Sequence, residues 1–126
     1  MASLSDRLLD KARSRYKRVT AQEAAAEVAA GALLVDTRTS EQRARDGAIP
    51  GACEIDRTVL EWRLDPTSAS KIEQATDLGV RVILICNQGY SSSLAAASLH
   101  DLGLTNATDV IGGFEAWVAA GLPLNR

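Results

Sequence analysis

The chain has 126 residues, 46% hydrophobic and 24% charged, the balance of one soluble globular domain and not of a disordered chain. No apolar run approaches the ~18 residues of a membrane span, the charged start lacks the apolar stretch of a secretory signal, and two cysteines make no disulfide framework. A formal charge of −2 and only five aromatics argue against a nucleic-acid binder and against stacking platforms, so a reducing, cytoplasmic setting is expected.

Charge gathers at the front, where residues 1–20 hold six basic against two acidic side chains, while the other 106 hold eight against fourteen. Residues 1–15 read as a basic helical extension packed by Leu4, Leu8 and Leu9, with contact to a membrane surface, a partner or RNA as the alternative. Residues 16–126 read as the folded domain. Thr20-Ala21-Gln22-Glu23 forms a capping box for an alanine-rich helix to Ala30, stopped by Gly31. Ala32 to Val35 is a short apolar strand ending at Asp36, and Ser40 caps a helix through Asp46. The Ile49-Pro50-Gly51 turn leads into a brief strand, Ala52 to Ile55, and residues 56–79 are irregular around one or two short helices. Val80 to Ile85 is the clearest strand, β-branched and apolar apart from Arg81. Ser91 to Leu102 reads as a helix with Leu94, Ala95, Leu99 and Leu102 on one face, ended by Gly103. Ala107 to Ile111 is the last strand, and Gly112-Gly113 opens a final helix through Ala120. Strands alternating with helices imply a parallel sheet covered on both faces, which carries its ligands beyond the carboxyl ends of its strands.

Cys86 sits at such an end, and Asn87-Gln88-Gly89-Tyr90-Ser91 joins it to the next helix. A cysteine there faces unpaired backbone N–H groups and the positive end of the helix dipole, both of which favour thiolate over thiol. Gly89 lets the loop turn tightly and brings amides toward an anion. On position alone, an inert cysteine buried at a strand end fits equally well.

The surrounding residues resolve that choice. Cys86 to Ser91 resembles the C-x-x-G-x-S active-site loop of single-domain rhodaneses. Leu34-Val35-Asp36-Thr37-Arg38 is similar to the family's D-x-R strand end, Gly47 to Ala52 to its G-H-I-P-G-A segment, and Gly112 to Trp117 to its G-G-x-x-x-W close. The resemblance runs from about Tyr16 to Pro123. It implies an α/β fold with a central five-stranded parallel sheet flanked by helices on both faces, and sulfurtransferase chemistry with Cys86 as persulfide carrier. The chain departs from the pattern at Ala48, where the family often has histidine, and at Ser91, where many bacterial members have arginine.

The candidate catalytic residue is therefore Cys86, with Asn87, Gln88, Gly89, Tyr90, Ser91, Asp36, Arg38 and Arg63 as candidate substrate-binding residues; Trp62 and Arg63 are expected to help wall the pocket. The same fold serves dual-specificity phosphatases, whose C-x5-R loop needs an arginine six positions after the cysteine; that position is Ser92. Cys53 reads as a small core residue rather than a resolving thiol, and His100, with no ligand cluster beside it, as no metal site. The expected partners are a small sulfur-donor anion and a thiol or protein acceptor, with no cofactor. The alternative is a rhodanese-fold binding or regulatory module whose sulfur chemistry is weak or lost.

Overall fold

The computed structural model describes residues 2–125. Helix α1 (Leu4–Arg13) is followed by α2 (Ala21–Ala29), strand β1 (Leu33–Asp36), α3 (Ser40–Asp46), β2 (Cys53–Glu54), a 3-10 turn (Arg57–Val59) and α4 (Leu60–Leu64). Strand β3 (Val82–Ile85), α5 (Ser91–Leu102), β4 (Ala107–Asp109) and α6 (Gly113–Ala119) complete the chain. None of these helices is long and apolar enough to cross a membrane.

Local chemistry sets the element ends. Thr20 and Glu23 form the expected capping box at α2, with Glu23 N donating to Thr20 Oγ1 at 3.1 Å and Thr20 N to Glu23 Oε1 at 2.9 Å. At α3 the cap is Thr39 rather than Ser40, because Gln42 lies three residues beyond Thr39 and closes a second box. Gly103 ends α5 in the left-handed region, as expected.

The four named strands pair in parallel, in the order β2-β1-β3-β4, and Ala48 and Asn125 form an isolated antiparallel bridge outside them. Among the described residues the sheet is four-stranded, not five-stranded. At the fifth position, beside β4, only Val19 pairs, through an isolated parallel bridge to Val110. Val19 N donates to the Asp109 carbonyl and Ile111 N to the Val19 carbonyl, and the capping box at Thr20 then turns the chain into α2 before a ladder can extend.

The period of two along β3 divides the core. Val82 and Leu84 face one side with Val35, Ala95, Ala96, Leu99, Leu60 and Leu64. Ile83 and Ile85 face the other with Leu34, Ala21, Ala24, Phe114 and Trp117. Burial on both faces explains the uninterrupted apolar run of this strand. In α5 the buried stripe is Ser92, Ala95, Ala96 and Leu99, with Ser93 beside it; Leu102, expected inside, is 38% exposed. Helix α1 packs on a different side of α5, with Ala12 buried and Leu94, Ala97 and Ser98 lining the groove between the two helices. Leu4 and Leu8, expected to dock α1, are instead exposed.

Between β1 and β3 the strand order reverses, opening a crevice at their carboxyl ends. The loop after β3 fills it and is backed by α6 through two glycines. A Cβ on Gly113 would lie 2.5 Å from the Cys86 carbonyl oxygen and 2.7 Å from Gly89 N, and one on Gly89 2.8 Å from Gly112 N. That approach lets Phe114 N donate to the Cys86 carbonyl at 2.7 Å and Glu115 N to the Asn87 carbonyl at 3.1 Å. Gly113→Ala is expected to cost about 3 kcal/mol, combining a left-handed φ with a backbone clash. Gly51→Ala, at φ +79 but in open space, isolates the conformational part and is expected to cost ~1 kcal/mol. Urea denaturation of both variants checks the difference, and equal costs would show that the close approach does not hold the loop.

Candidate functional site

Cys86 follows β3, is 5% exposed and lines the floor of a cavity. Gly89 N donates to Cys86 Sγ at 3.2 Å and Ser92 N at 3.4 Å. Among the described residues, the N–H groups of Asn87, Gln88, Tyr90 and Ser91 have no protein acceptor. The loop carbonyls, by contrast, are engaged from outside. Phe114 N holds that of Cys86, Glu115 N that of Asn87, Ser93 N that of Tyr90, and two guanidinium groups that of Gly89. Every peptide bond is trans, so each of these carbonyls sends the following N–H in the opposite direction. Two amides thus touch the sulfur, and four more in the same loop are left without a protein acceptor among the described residues.

Behind the sulfur lies a buried polar hub. Asp109 accepts from Tyr16 Oη at 2.8 Å, from Arg18 Nε at 2.9 Å and Nη2 at 3.0 Å, from Ser92 Oγ at 2.7 Å and from Ser93 Oγ at 2.9 Å. Ser92 Oγ also lies 3.2 Å from Cys86 Sγ. With a thiol, the chain runs from S–H to Ser92 Oγ and from the Ser92 hydroxyl to Asp109. With a thiolate, that hydroxyl can turn to the sulfur, because Asp109 keeps Tyr16, Arg18 and Ser93 as donors. Burial pushes the Cys86 thiol up, but the hydroxyls of Ser92 and Ser91 and the amides of Ser92 and Gly89 outweigh it, so its pKa lies below the ordinary thiol value. Burial and the adjacent Asp109 carboxylate push the Tyr16 phenol well up, which keeps it a donor.

The cavity over Cys86 has a volume of about 400 Å³ and is lined by Asn87, Gln88, Tyr90 and Ser91 from the loop, with Arg38, Arg57 and Gln42 opposite. Asn87 is half-buried, while Gln88, Tyr90 and Ser91 are exposed; Gln88 Nε2 reaches Glu115 Oε2 at 3.3 Å. Two expected contacts are absent. Arg63 does not line the cavity: it stands in the last turn of α4, donating to the Ser70 carbonyl at 2.8 Å, with Trp62 exposed beside it. Asp36 is fully buried and faces Arg38, with Arg38 Nη2 donating to Asp36 Oδ2 at 2.8 Å and to the Gly47 carbonyl at 2.9 Å. The Arg38 guanidinium lies 3.6 Å over the Phe114 ring, and its Nη1 is buried without a partner among the described residues. The pair thus braces the crevice, and Arg38 offers the cavity little of its charge.

Sequence reasoning passed over three cations. Arg57, paired with Glu61 at 3.0 Å, lines the cavity. Arg13 and Arg18 reach the loop from behind, more than seventy positions away in the chain, where no local pattern marks them. Cys53 in β2 pairs with Val35, whose other neighbour is Leu84 in β3. It stands two strands from β3, and with strands ~4.8 Å apart its Cα is out of disulfide range of Cys86. Burial raises its pKa. His100 stacks on Tyr16, with Nε2 2.8 Å from the Ala107 carbonyl.

The model of the rhodanese-like domain family matches residues 20–120. Among curated proteins, the chain is 34% identical over 104 residues to the thiosulfate sulfurtransferase GlpE of Pseudomonas entomophila, covering 82% of this chain and 86% of that one. A solved structure from Rhodopseudomonas palustris, described as a protein of unknown function and possible tyrosine phosphatase, superposes with a TM-score of 0.87 at 31% identity, covering 99% of this chain and 96% of that one. The human single-domain sulfurtransferase TSTD1 superposes with a TM-score of 0.67 at 27% identity, over 82% of this chain and 96% of that one.

The thiolate is the form that alkylates, so the rate of Cys86 alkylation rises with pH and levels off above its pKa. The inflection is expected below the ~8.5 of free cysteine. Ser92→Ala removes a donor that lowers the pKa, so the inflection moves up and the rate at neutral pH falls by about twofold to tenfold, the worth of one hydrogen bond. Iodoacetamide kinetics followed by peptide mass spectrometry check this, and an unmoved inflection would remove Ser92 from thiolate stabilisation.

Proposed function

The chain belongs to the rhodanese-like domain family, and on that footing we propose that it is a sulfurtransferase in which Cys86 is the nucleophile and sulfur carrier. The Cys86 thiolate attacks the outer, sulfane sulfur of a donor such as thiosulfate. The bond between that sulfur and the sulfonate sulfur breaks, sulfite leaves with the electron pair, and Cys86 retains the transferred atom as a persulfide anion. A thiophilic acceptor, a small thiol or a protein cysteine, then takes this sulfur and regenerates the thiolate. Splitting the transfer in two makes the kinetics ping-pong.

The observation that carries the reading is that Gly89 N and Ser92 N donate to Cys86 Sγ at 3.2 and 3.4 Å in a loop whose other amides have no protein acceptor among the described residues. Such preorganised donors stabilise charge on the outer sulfur as an oxyanion hole does on oxygen. No general base is needed, which agrees with Asp36 being held by Arg38 and Asp109 by its five contacts. The neutral side chains of Asn87, Gln88, Tyr90 and Ser91 leave the donor dianion to the amides and to Arg57 at the cavity wall. Phosphoryl transfer is less well served, because Ser92 occupies the position of the phosphatase arginine and its hydroxyl lies between Cys86 and Asp109.

Mass spectrometry of the protein mixed with thiosulfate tests the reading. A gain of one sulfur mass is expected on Cys86, lost on addition of cyanide, absent in Cys86→Ser and retained in Cys53→Ala. No gain on the wild-type protein would leave a binding or regulatory module, and comparable loss in the two variants would make Cys53 a functional partner.

A further inference from the structure

The basic N-terminal helix has no place in the proposed reaction, yet it reaches the reactive loop. Arg13, its last residue, donates from Nη2 to the Gly89 carbonyl at 2.8 Å and from Nε to Ser93 Oγ at 2.9 Å. Arg18 donates to the same carbonyl at 3.0 Å, so one peptide oxygen takes two charge-assisted bonds. The two cations are not equivalent. Arg18 also grips Asp109 in a bidentate pair, which neutralises its charge locally. Arg13 makes no ion pair among the described residues, so its charge stands uncompensated behind the loop.

We propose that Arg13 is a positioning residue of the Cys86 loop, holding the Gly89 carbonyl behind the loop so that the otherwise unpaired Tyr90 N–H turns to the side of Cys86, and that α1 is thereby a working part of the site. The chain of cause is short. Gly89, at φ +84, tolerates more than one backbone orientation, so its peptide plane needs an external hold. A cation on the carbonyl also polarises the peptide and makes its N–H a stronger donor. Through Ser93, Arg13 reaches the same hub that orients Ser92, since Ser93 accepts from Arg13 and donates to Asp109. A loop with no charged side chain of its own thus draws on a cation delivered from the far end of the sequence.

The proposal rests on Cys86 being the reactive group, but its test needs no sulfur donor. Alkylation of Cys86 by iodoacetamide is followed across pH in the full-length wild type and in Arg13→Gln, Arg13→Lys and Arg15→Gln. Arg15 is the control, because it ties the same segment to α5 through Asp101 at 2.7 Å and the Ala97 carbonyl without touching the loop. In Arg13→Gln the inflection is expected to move up, lowering the rate at neutral pH by about threefold to tenfold with an unchanged plateau at high pH. Arg13→Lys is expected to recover most of the rate, and Arg15→Gln to keep the wild-type profile even where its thermal stability falls. Wild-type behaviour of Arg13→Gln would overturn the proposal, as would an equal shift in Arg13→Gln and Arg15→Gln, which would reduce α1 to packing. A lysine variant as slow as the glutamine one would also overturn it. Failure of Cys86 to take up sulfur from thiosulfate would show only in the separate mass measurement and would leave these profiles readable.

Discussion

A trans peptide cannot turn its N–H toward a sulfur without turning its carbonyl away, and the carbonyl must then find a donor elsewhere. In the loop of Cys86 four carbonyls are held from outside, which turns the N–H groups of Asn87, Gln88, Tyr90 and Ser91 away from those partners. The carbonyls of Cys86 and Asn87 go to the first amides of α6, that of Tyr90 to Ser93 N, and that of Gly89 to Arg13 and Arg18. Each partner explains a feature of the sequence that otherwise stands alone. Gly113 is needed because a side chain there would strike the Cys86 carbonyl, Gly112 because one there would strike Ala116 at a left-handed φ, and Gly89 because one there would strike Gly112 N. Phe114 and Trp117 then anchor α6 in the core so that its amides stay where the loop needs them.

Electrostatics imposes the second constraint. A thiolate and the Asp109 carboxylate lie on either side of Ser92, two anions in a region shielded from water. The carboxylate is tolerated because Arg18, Tyr16, Ser92 and Ser93 all donate to it. The thiolate is tolerated because amides and hydroxyls outweigh its burial. The Ser92 hydroxyl serves whichever anion needs it, which ties the protonation of Cys86 to the geometry of a hub built partly from residues before α2.

Much of this was legible in the sequence where the signals are local. The capping box at Thr20, the apolar run of β3, the extent of α5 and the position of Cys86 before a helix all depend on neighbours within a few residues. Misreadings occurred where tertiary placement decides. Arg63 and Arg57 lie on adjoining turns, and only the direction of each side chain puts Arg57 at the cavity and Arg63 on Ser70. Leu4 and Leu8 carry the apolar periodicity of α1, yet small Ala12 makes the close contact and the work of that helix falls to Arg13. The fifth strand is implied by the family resemblance alone, while the residue pattern gives four, and Val19 supplies a single bridge where that strand would lie.

The crystal structure of the protein after exposure to thiosulfate tests the central claim most directly. A second sulfur is expected on Cys86, encircled by the nitrogens of the 87–91 loop at hydrogen-bonding distance, with the Gly89 carbonyl still on Arg13 and Arg18. A transferred sulfur lying away from those nitrogens, or a Gly89 carbonyl turned inward toward it, would show that the loop amides do not hold the persulfide.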